Sequence, residues 1–245
     1  MTLIIGHRGA RNLWPENSLR GFRNTLELGV DAVEFDVHLT RSGELVVIHD
    51  PTLERTTDAT GPVRDLTPET RATTRLKGTD ETIPTLQDVL AALAPAVDVG
   101  VHVEIKLDET GSSYPGIAER VAAELVRFGV AGRAHLTSFD TAVLEECRRH
   151  APHVARLASV NGAWAERQGG LAAFLTAVED LVDIVAIQHE LMEAEWALVS
   201  ERLSLEKLCV WVLNDHIGIR RWLDRRIGHL TSDSPDLALS LRFAG

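Results

Sequence analysis

Eight short apolar runs recur along this chain, at residues 3–5, 32–36, 101–105, 134–137, 154–157, 184–187, 209–213 and 229–231. Between and after them lie segments with helical spacing, at 18–28, 85–93, 116–128, 141–150, 172–181, 194–203, 217–225 and 235–241. Regular alternation of strand and helix favours a parallel sheet, because each helix carries the chain back to the start of the next strand. Eight such units are what a closed (β/α)8 barrel requires, so the expected fold is α/β, a TIM barrel spanning 1–245 as a single domain. An open doubly wound sheet is the alternative, and it does not need eight equal units. With 245 residues, 44% of them hydrophobic, the chain can bury a core of that size.

One segment breaks the rhythm. Residues 51–84 are rich in Thr, Asp, Gly and Pro and show no clear periodicity. They read as a loop excursion from the top of the barrel, ending where Ile83-Pro84-Thr85 opens a helix. Loops this long inside a compact domain are usually functional. A substrate cover is one reading and a plain structural excursion the other.

Immediately before the excursion stands Glu34-Phe-Asp-Val-His-Leu-Thr-Arg-Ser-Gly-Glu-Leu-Val-Val-Ile-His49-Asp50. Two apolar runs flank a Gly-containing turn, the composition of a β-hairpin. With Ser42-Gly43 as the turn, Val37 is expected opposite Ile48 and Asp36 opposite His49, with directly paired side chains roughly 4.5–5.5 Å apart at Cβ. Alternation places Glu34 on the same face as Asp36. Two buried carboxylates this close are costly unless a cation neutralises them, which points to a metal.

The third apolar run reads Val101-His102-Val103-Glu104-Ile105, followed by Lys106. His102, Glu104 and Lys106 share a face, with Lys106 nearest the strand top. A core ion pair is the plain reading of Glu104 and Lys106. The sharper one makes Glu104 a third oxygen ligand beside Glu34 and Asp36, and Lys106 an anion binder. Three carboxylates without cysteine favour a hard cation, Mg²⁺ or Ca²⁺. The first strand ends in Gly6-His7-Arg8-Gly9, which in a barrel brings His7 and the guanidinium fork of Arg8 to the face where sites are built. Among lesser candidates, Glu16 and Asn17 lie in the loop that follows, and Ser18 is suited to cap the first helix. His189 sits past the sixth run, and Trp211 is either a core aromatic or a pocket wall. His38 shares the face of Glu34 at the turn end; Trp164, Trp196 and Trp222 read as packing. No partner is evident for His135, His150, His153, His216 or His229.

A formal net charge of −11 and no basic run argue against nucleic-acid or stable anionic-membrane binding. Cys147 and Cys209 are too few for a disulfide framework and fit a reducing, cytoplasmic setting. The first residues enter a strand at once, without the features of a signal peptide, and no apolar stretch approaches membrane-span length. A homo-oligomer is left open.

Taken together, His7-Arg8-Gly9, Pro15-Glu16-Asn17-Ser18, Glu34-x-Asp36, Gly43 through His49-Asp50, Pro84-Thr85-Leu86, Glu104-Ile105-Lys106, Ser138-Phe139, Trp211-Val-Leu-Asn214 and Thr231-Ser-Asp233-Ser-Pro235 resemble the glycerophosphodiester phosphodiesterase family. The resemblance covers nearly the whole chain. It implies a (β/α)8 barrel and metal-dependent hydrolysis of a small glycerophosphodiester to sn-glycerol 3-phosphate and an alcohol. It also implies Glu34, Asp36 and Glu104 as metal ligands, His7 and His49 as general acid and base, and Arg8 and Lys106 as phosphate binders. Ser18 and Ser42 depart from the commoner Thr and Asp, and Ser232-Asp233 from Thr-Asp; none removes a reacting group. A lysophospholipid or sphingolipid phosphodiesterase and a catalytically inactive barrel are the alternatives.

Overall fold

The computed structural model describes residues 1–243. Its elements follow in the order β1 (Leu3–His7), α1 (Leu19–Glu27), β2 (Ala32–Leu39), β3 (Leu45–Val47), α2 (Pro68–Thr73), α3 (Leu86–Leu93), β4 (Gly100–Ile105), α4 (Ile117–Arg127), β5 (Ala134–Ser138) and α5 (Thr141–His150). The second half continues with β6 (Ala155–Val160), α6 (Gly162–Arg167), α7 (Leu171–Val178), β7 (Ile184–Gln188), α8 (His189–Ala194), α9 (Trp196–Arg202), β8 (Leu208–Trp211), α10 (His216–Asp224), β9 (His229–Ser232) and α11 (Pro235–Phe243). The parallel strands run β1-β9-β8-β7-β6-β5-β4-β2, and a β1–β2 pairing closes the circle. The expected (β/α)8 barrel is observed, and closure excludes the open doubly wound sheet.

Closure explains why strand residues are buried on both faces: all eight positions of β2 are buried. Outward residues such as Phe35 pack under helices, and Phe22 of α1 meets Phe35 edge to face at 5.6 Å between centroids. Inward residues Ile5, Ala32, Leu157, Ile184, Ala186 and Cys209 fill the barrel interior. Helix starts follow their capping residues. Ser18 Oγ accepts from Gly21 N–H at 2.9 Å, as expected, and Thr85 and Asp88 form a reciprocal capping box on α3. Both cysteines are buried and free. No described helix is long and apolar enough to cross a membrane.

Lower in the barrel, His102 packs against His135 with centroids 4.6 Å apart and against His229 at 6.4 Å. Burial depresses the pKa of all three, to about 4 for His229, so they are neutral polar rings in the barrel interior. His102 and His135 are Cα partners on the successive strands β4 and β5, whereas His229 comes from β9, far along the chain.

The hairpin differs from its expected register. Thr40 N–H donates to the Glu44 carbonyl and Gly43 N–H to Thr40, so the loop holds three residues rather than two. Gly43 lies at φ +90°, the left-handed position that such a three-residue loop favours for glycine. Val37 therefore pairs with Val47, not Ile48. Ile48 N–H donates to the Asp36 carbonyl, and His49 lies beyond the ladder instead of opposite Asp36. A slip of one residue changes which face every partner presents.

The excursion is also more ordered than its composition suggests. Residues 51–84 contain a 3₁₀ turn at Val63–Asp65 and helix α2, and Leu53, Val63, Leu66, Leu76 and Ile83 form a satellite apolar cluster with Val46 and Ile48 of the hairpin. Its apolar residues are spaced for a compact irregular cap, so neither strand nor helix periodicity marks them.

Candidate active site

Parallel register builds the centre of the site. His7 is the Cα partner of Glu34 across β1 and β2, and Asp36 is that of Glu104 across β2 and β4. Adjacent strands lie about 4.8 Å apart, so inward residues at matched heights converge. Glu34, Asp36 and Glu104 each bring a carboxylate oxygen within 4.8 Å of the other two. Glu34 Oε1 is buried with no hydrogen-bond partner, and buried Asp36 Oδ1 has no neighbour of that kind beyond its ion pair with Lys106 at 3.3 Å. Orphaned carboxylate oxygens are costly in a protein interior, and an all-oxygen donor set of this kind fits Mg²⁺ or Ca²⁺.

Two cations stand against these three acids. Lys106 Nζ lies 2.6 Å from Glu104 Oε1 and 3.3 Å from Asp36 Oδ1, and Arg8 Nε is 3.3 Å from Asp36 Oδ2. Burial opposes ionisation of Asp36, but Lys106 and Arg8 outweigh it and hold its carboxyl well below the usual range. Glu34 fares differently: burial, with Asp36 and Glu104 adding repulsion, pushes its carboxyl well up. One negative charge thus lacks compensation by the side chains alone.

The loop after β1 is held in uncommon backbone conformations. Arg8, Ala10 and Asn17 all have positive φ, at +49°, +61° and +56°. Such residues store strain and cluster at sites whose geometry the surroundings impose. Gly9 is required for a second reason, since a Cβ there would lie 3.1 Å from backbone of Gly21 and Phe22. Asn17, buried, donates from Nδ2 to Asp36 Oδ2 at 2.9 Å, so it orients a candidate ligand. Glu16 receives Arg55, Arg8 and Arg11 rather than facing the acid cluster alone.

Each histidine is backed by a carboxylate. His7 Nδ1 lies 2.5 Å from Asp233 Oδ1, and Asp233 also receives Arg11 Nε at 2.7 Å and Asn214 Nδ2 at 2.8 Å. His49 Nδ1 lies 2.6 Å from Asp50 Oδ1. Arg55, from the excursion, grips Asp50 at 2.6 Å and Glu16 at 2.7 Å. With burial resisting, Arg55 and His49 hold the Asp50 carboxyl down at about 2. Burial lowers the pKa of both imidazoles, the carboxylates opposing it.

These groups open onto one cavity of about 230 Å³. His7, Arg8, Glu34, His49, Glu104 and Lys106 line one side. The rest of the lining mixes Thr137, Ser159 and Thr231 with apolar groups, among them Trp211 and Phe139 in edge-to-face contact at 5.6 Å. Trp211 is therefore on the cavity wall. His189 is not: it opens α8, pairs with Glu190 at 3.1 Å and faces a separate surface groove. The helix begins directly at His189, which swings its side chain away from the barrel axis. Sequence reasoning left three further residues without roles, Asp50, Asp233 and Arg55. The first two sat inside motifs, but nothing in the sequence pairs Asp233 with a histidine 226 positions away.

Comparison with known proteins agrees with this geometry. The chain is 37% identical over 164 residues to a glycerophosphodiester phosphodiesterase of Caldanaerobacter subterraneus subsp. tengcongensis, covering 62% of this chain and 64% of that protein. The match thus spans slightly less than two thirds of the length of such curated relatives. A crystal structure from Agrobacterium tumefaciens, named for the same family, superposes with a TM-score of 0.86 at 30% identity, covering 100% of this chain and 98% of the other. The same fold is found at 22% identity and a TM-score of 0.77, over 98% and 96% of the two chains, in an Oleispira antarctica phosphodiesterase described in complex with the product sn-glycerol-3-phosphate. The model of the Glycerophosphoryl diester phosphodiesterase family matches residues 7–237, from the first histidine of the site into the last helix, and the chain belongs to that family.

Proposed function

We propose that this protein is a metal-dependent phosphodiesterase that hydrolyses glycerophosphodiesters to sn-glycerol 3-phosphate and an alcohol. The observation that carries the reading is the convergence on one cavity of a three-carboxylate cluster, two cationic side chains and two carboxylate-backed imidazoles. The product named for the Oleispira antarctica protein is of the same chemistry. Glu34, Asp36 and Glu104 hold the cation. When bound, Mg²⁺ or Ca²⁺ supplies charge neutralisation of the phosphodiester and stabilises the charge that grows in its transition state.

The chain's own residues do the rest. Arg8 and Lys106 bind phosphate oxygens, Arg8 through a planar fork and Lys106 as a point charge. The carboxylates of Asp233 and Asp50 accept from Nδ1–H of His7 and His49, which directs each Nε2 to the cavity. One imidazole takes the proton of the attacking hydroxyl and the other protonates the leaving alkoxide, a division of work that histidine suits near neutrality. Trp211 and Phe139 offer an apolar wall to the carbon skeleton of the substrate.

The test is release of glycerol 3-phosphate from glycerophosphocholine and glycerophosphoethanolamine, using EDTA-treated protein with Mg²⁺ or Ca²⁺ restored singly. Metal-dependent release is expected. No release with either metal from these substrates, but release of choline from lysophosphatidylcholine, would replace the substrate class; inactivity on all would leave a non-catalytic barrel. Within this reading Arg55→Ala should reduce kcat about 10-fold, the lower end of what outer-shell partners of catalytic groups contribute. It removes the bridge between Asp50 and Glu16 but no reacting group. Steady-state kinetics that match the wild type would deny the excursion any part in the site.

A further inference from the structure

We infer that His38 and Tyr114 form a positioning pair that fixes the placement of His49. The inference rests on the catalytic reading of His49 given above. His49 lies past the end of β3, outside the hydrogen-bonded ladder that would otherwise locate it. Its carbonyl oxygen accepts instead from His38 Nε2 at 3.1 Å. His38 is fully buried, and its Nδ1 lies 2.9 Å from the Tyr114 hydroxyl.

Hydrogen-bond logic settles the protons. A carbonyl can only accept, so Nε2 of His38 carries the hydrogen; Nδ1 is then the acceptor and Tyr114 the donor. The ring is locked in one neutral tautomer by contacts on both nitrogens. Tyr114 is itself 6% exposed and meets His38 edge to face, with centroids 5.7 Å apart. It belongs to the loop between β4 and α4, the loop that starts at Lys106. Arg64 of the excursion holds the same loop through Asp108, at 3.1 Å. One rigid chain therefore runs from the segment that carries the phosphate-binding lysine, through Tyr114 and His38, to the peptide of His49. Because displacement of a reacting group by about 1 Å can cost about 100-fold in rate, a fixed carbonyl here has catalytic value. Packing alone does not require the arrangement: an apolar residue at 38 would fill the space without donating to a carbonyl.

The test compares wild type with His38→Leu, His38→Gln and Tyr114→Phe, all as full-length protein. Steady-state kinetics, metal affinity by calorimetry and the ring ¹H–¹⁵N signals of His49 are read for each, the signals being assigned by their loss in His49→Gln. For His38→Leu the expected result is a kcat at least 10-fold lower, KM and metal affinity within about 2-fold of wild type, and displaced His49 signals. His38→Gln, which keeps an N–H donor, should recover most of the loss, and Tyr114→Phe should fall between. Folded His38→Leu with wild-type kcat and unmoved His49 signals would overturn the pairing. So would a uniform fall in kcat, metal affinity and Tm that glutamine does not relieve. A wild-type protein inactive on every diester would defeat the functional reading instead, while the His49 signals would still decide whether His38 places that residue.

Discussion

Replacing His7 or His49 by alanine is expected to lower kcat by about 100- to 10,000-fold while leaving metal affinity within a few-fold of wild type. Neither imidazole belongs to the carboxylate cluster, so its removal deletes a proton-transfer group and spares the ligand set. Both variants should fold. Asp233, left without His7, keeps Arg11 and Asn214, and Asp50, left without His49, keeps Arg55. The abandoned carboxylates thus remain paired, which avoids the usual penalty for stranding a buried charge. The pH profile carries a second signature. Burial lowers both imidazole pKa values from 6.5, the carboxylates only partly offsetting it. The base acts in its neutral form and the acid in its protonated form, so kcat/KM should follow a bell whose rising and falling limbs are both displaced below 6.5. Kinetics and calorimetry on the two variants check this directly. Near-wild-type turnover in either would remove that histidine from the chemistry.

How far the sequence carried this picture depended on the range of the interactions involved. The barrel was legible because its signal is local and repeated: each apolar run and each amphipathic stretch announces itself within a dozen residues. The acid cluster was legible for a related reason. Parity within β2 and β4 puts Glu34, Asp36, Glu104 and Lys106 on inward faces once the barrel is assumed, and strand register then aligns Asp36 with Glu104. Where one residue of loop length decided the outcome, the reading failed: the three-residue turn moved His49 off the ladder. Contacts supplied by irregular segments were also out of reach. Arg55 lies in the excursion with no periodic context, and Asp233 meets His7 only because the barrel closes its ends together. His189 shows the converse error, since a residue at a strand top enters the site only if the chain does not turn into a helix there.

Glu34→Gln should separate stability from activity by moving them in opposite directions. Glutamine has the shape of glutamate and can still accept the Arg8 backbone N–H, which Glu34 Oε2 receives at 3.2 Å. What it lacks is the charge. Burial, Asp36 and Glu104 raise the folded-state pKa of Glu34 well above 4.5. Below 4.5 the carboxyl is protonated both folded and unfolded and contributes no pH slope. Above it the unfolded chain releases the proton first, so folding stability declines as pH rises toward the folded value, and the penalty is complete beyond it. Asp36, held below 3.8, is ionised in both states through this window and adds no slope. The lowered histidines slope the other way, but they are common to both proteins, so the difference between wild type and variant isolates Glu34. In EDTA the Tm of Glu34→Gln should therefore equal wild type near pH 4 and exceed it by a growing margin toward pH 8. Added Mg²⁺ or Ca²⁺ should stabilise the wild type and not the variant, since only a carboxylate offers the cation full charge. Turnover should fall more than about 100-fold, because a bound cation is worth several kcal/mol to a developing anion and each 1.36 kcal/mol is tenfold. The opposite pattern, a destabilised variant that keeps metal response and turnover, would show Glu34 to be a structural acid and would move the cation elsewhere.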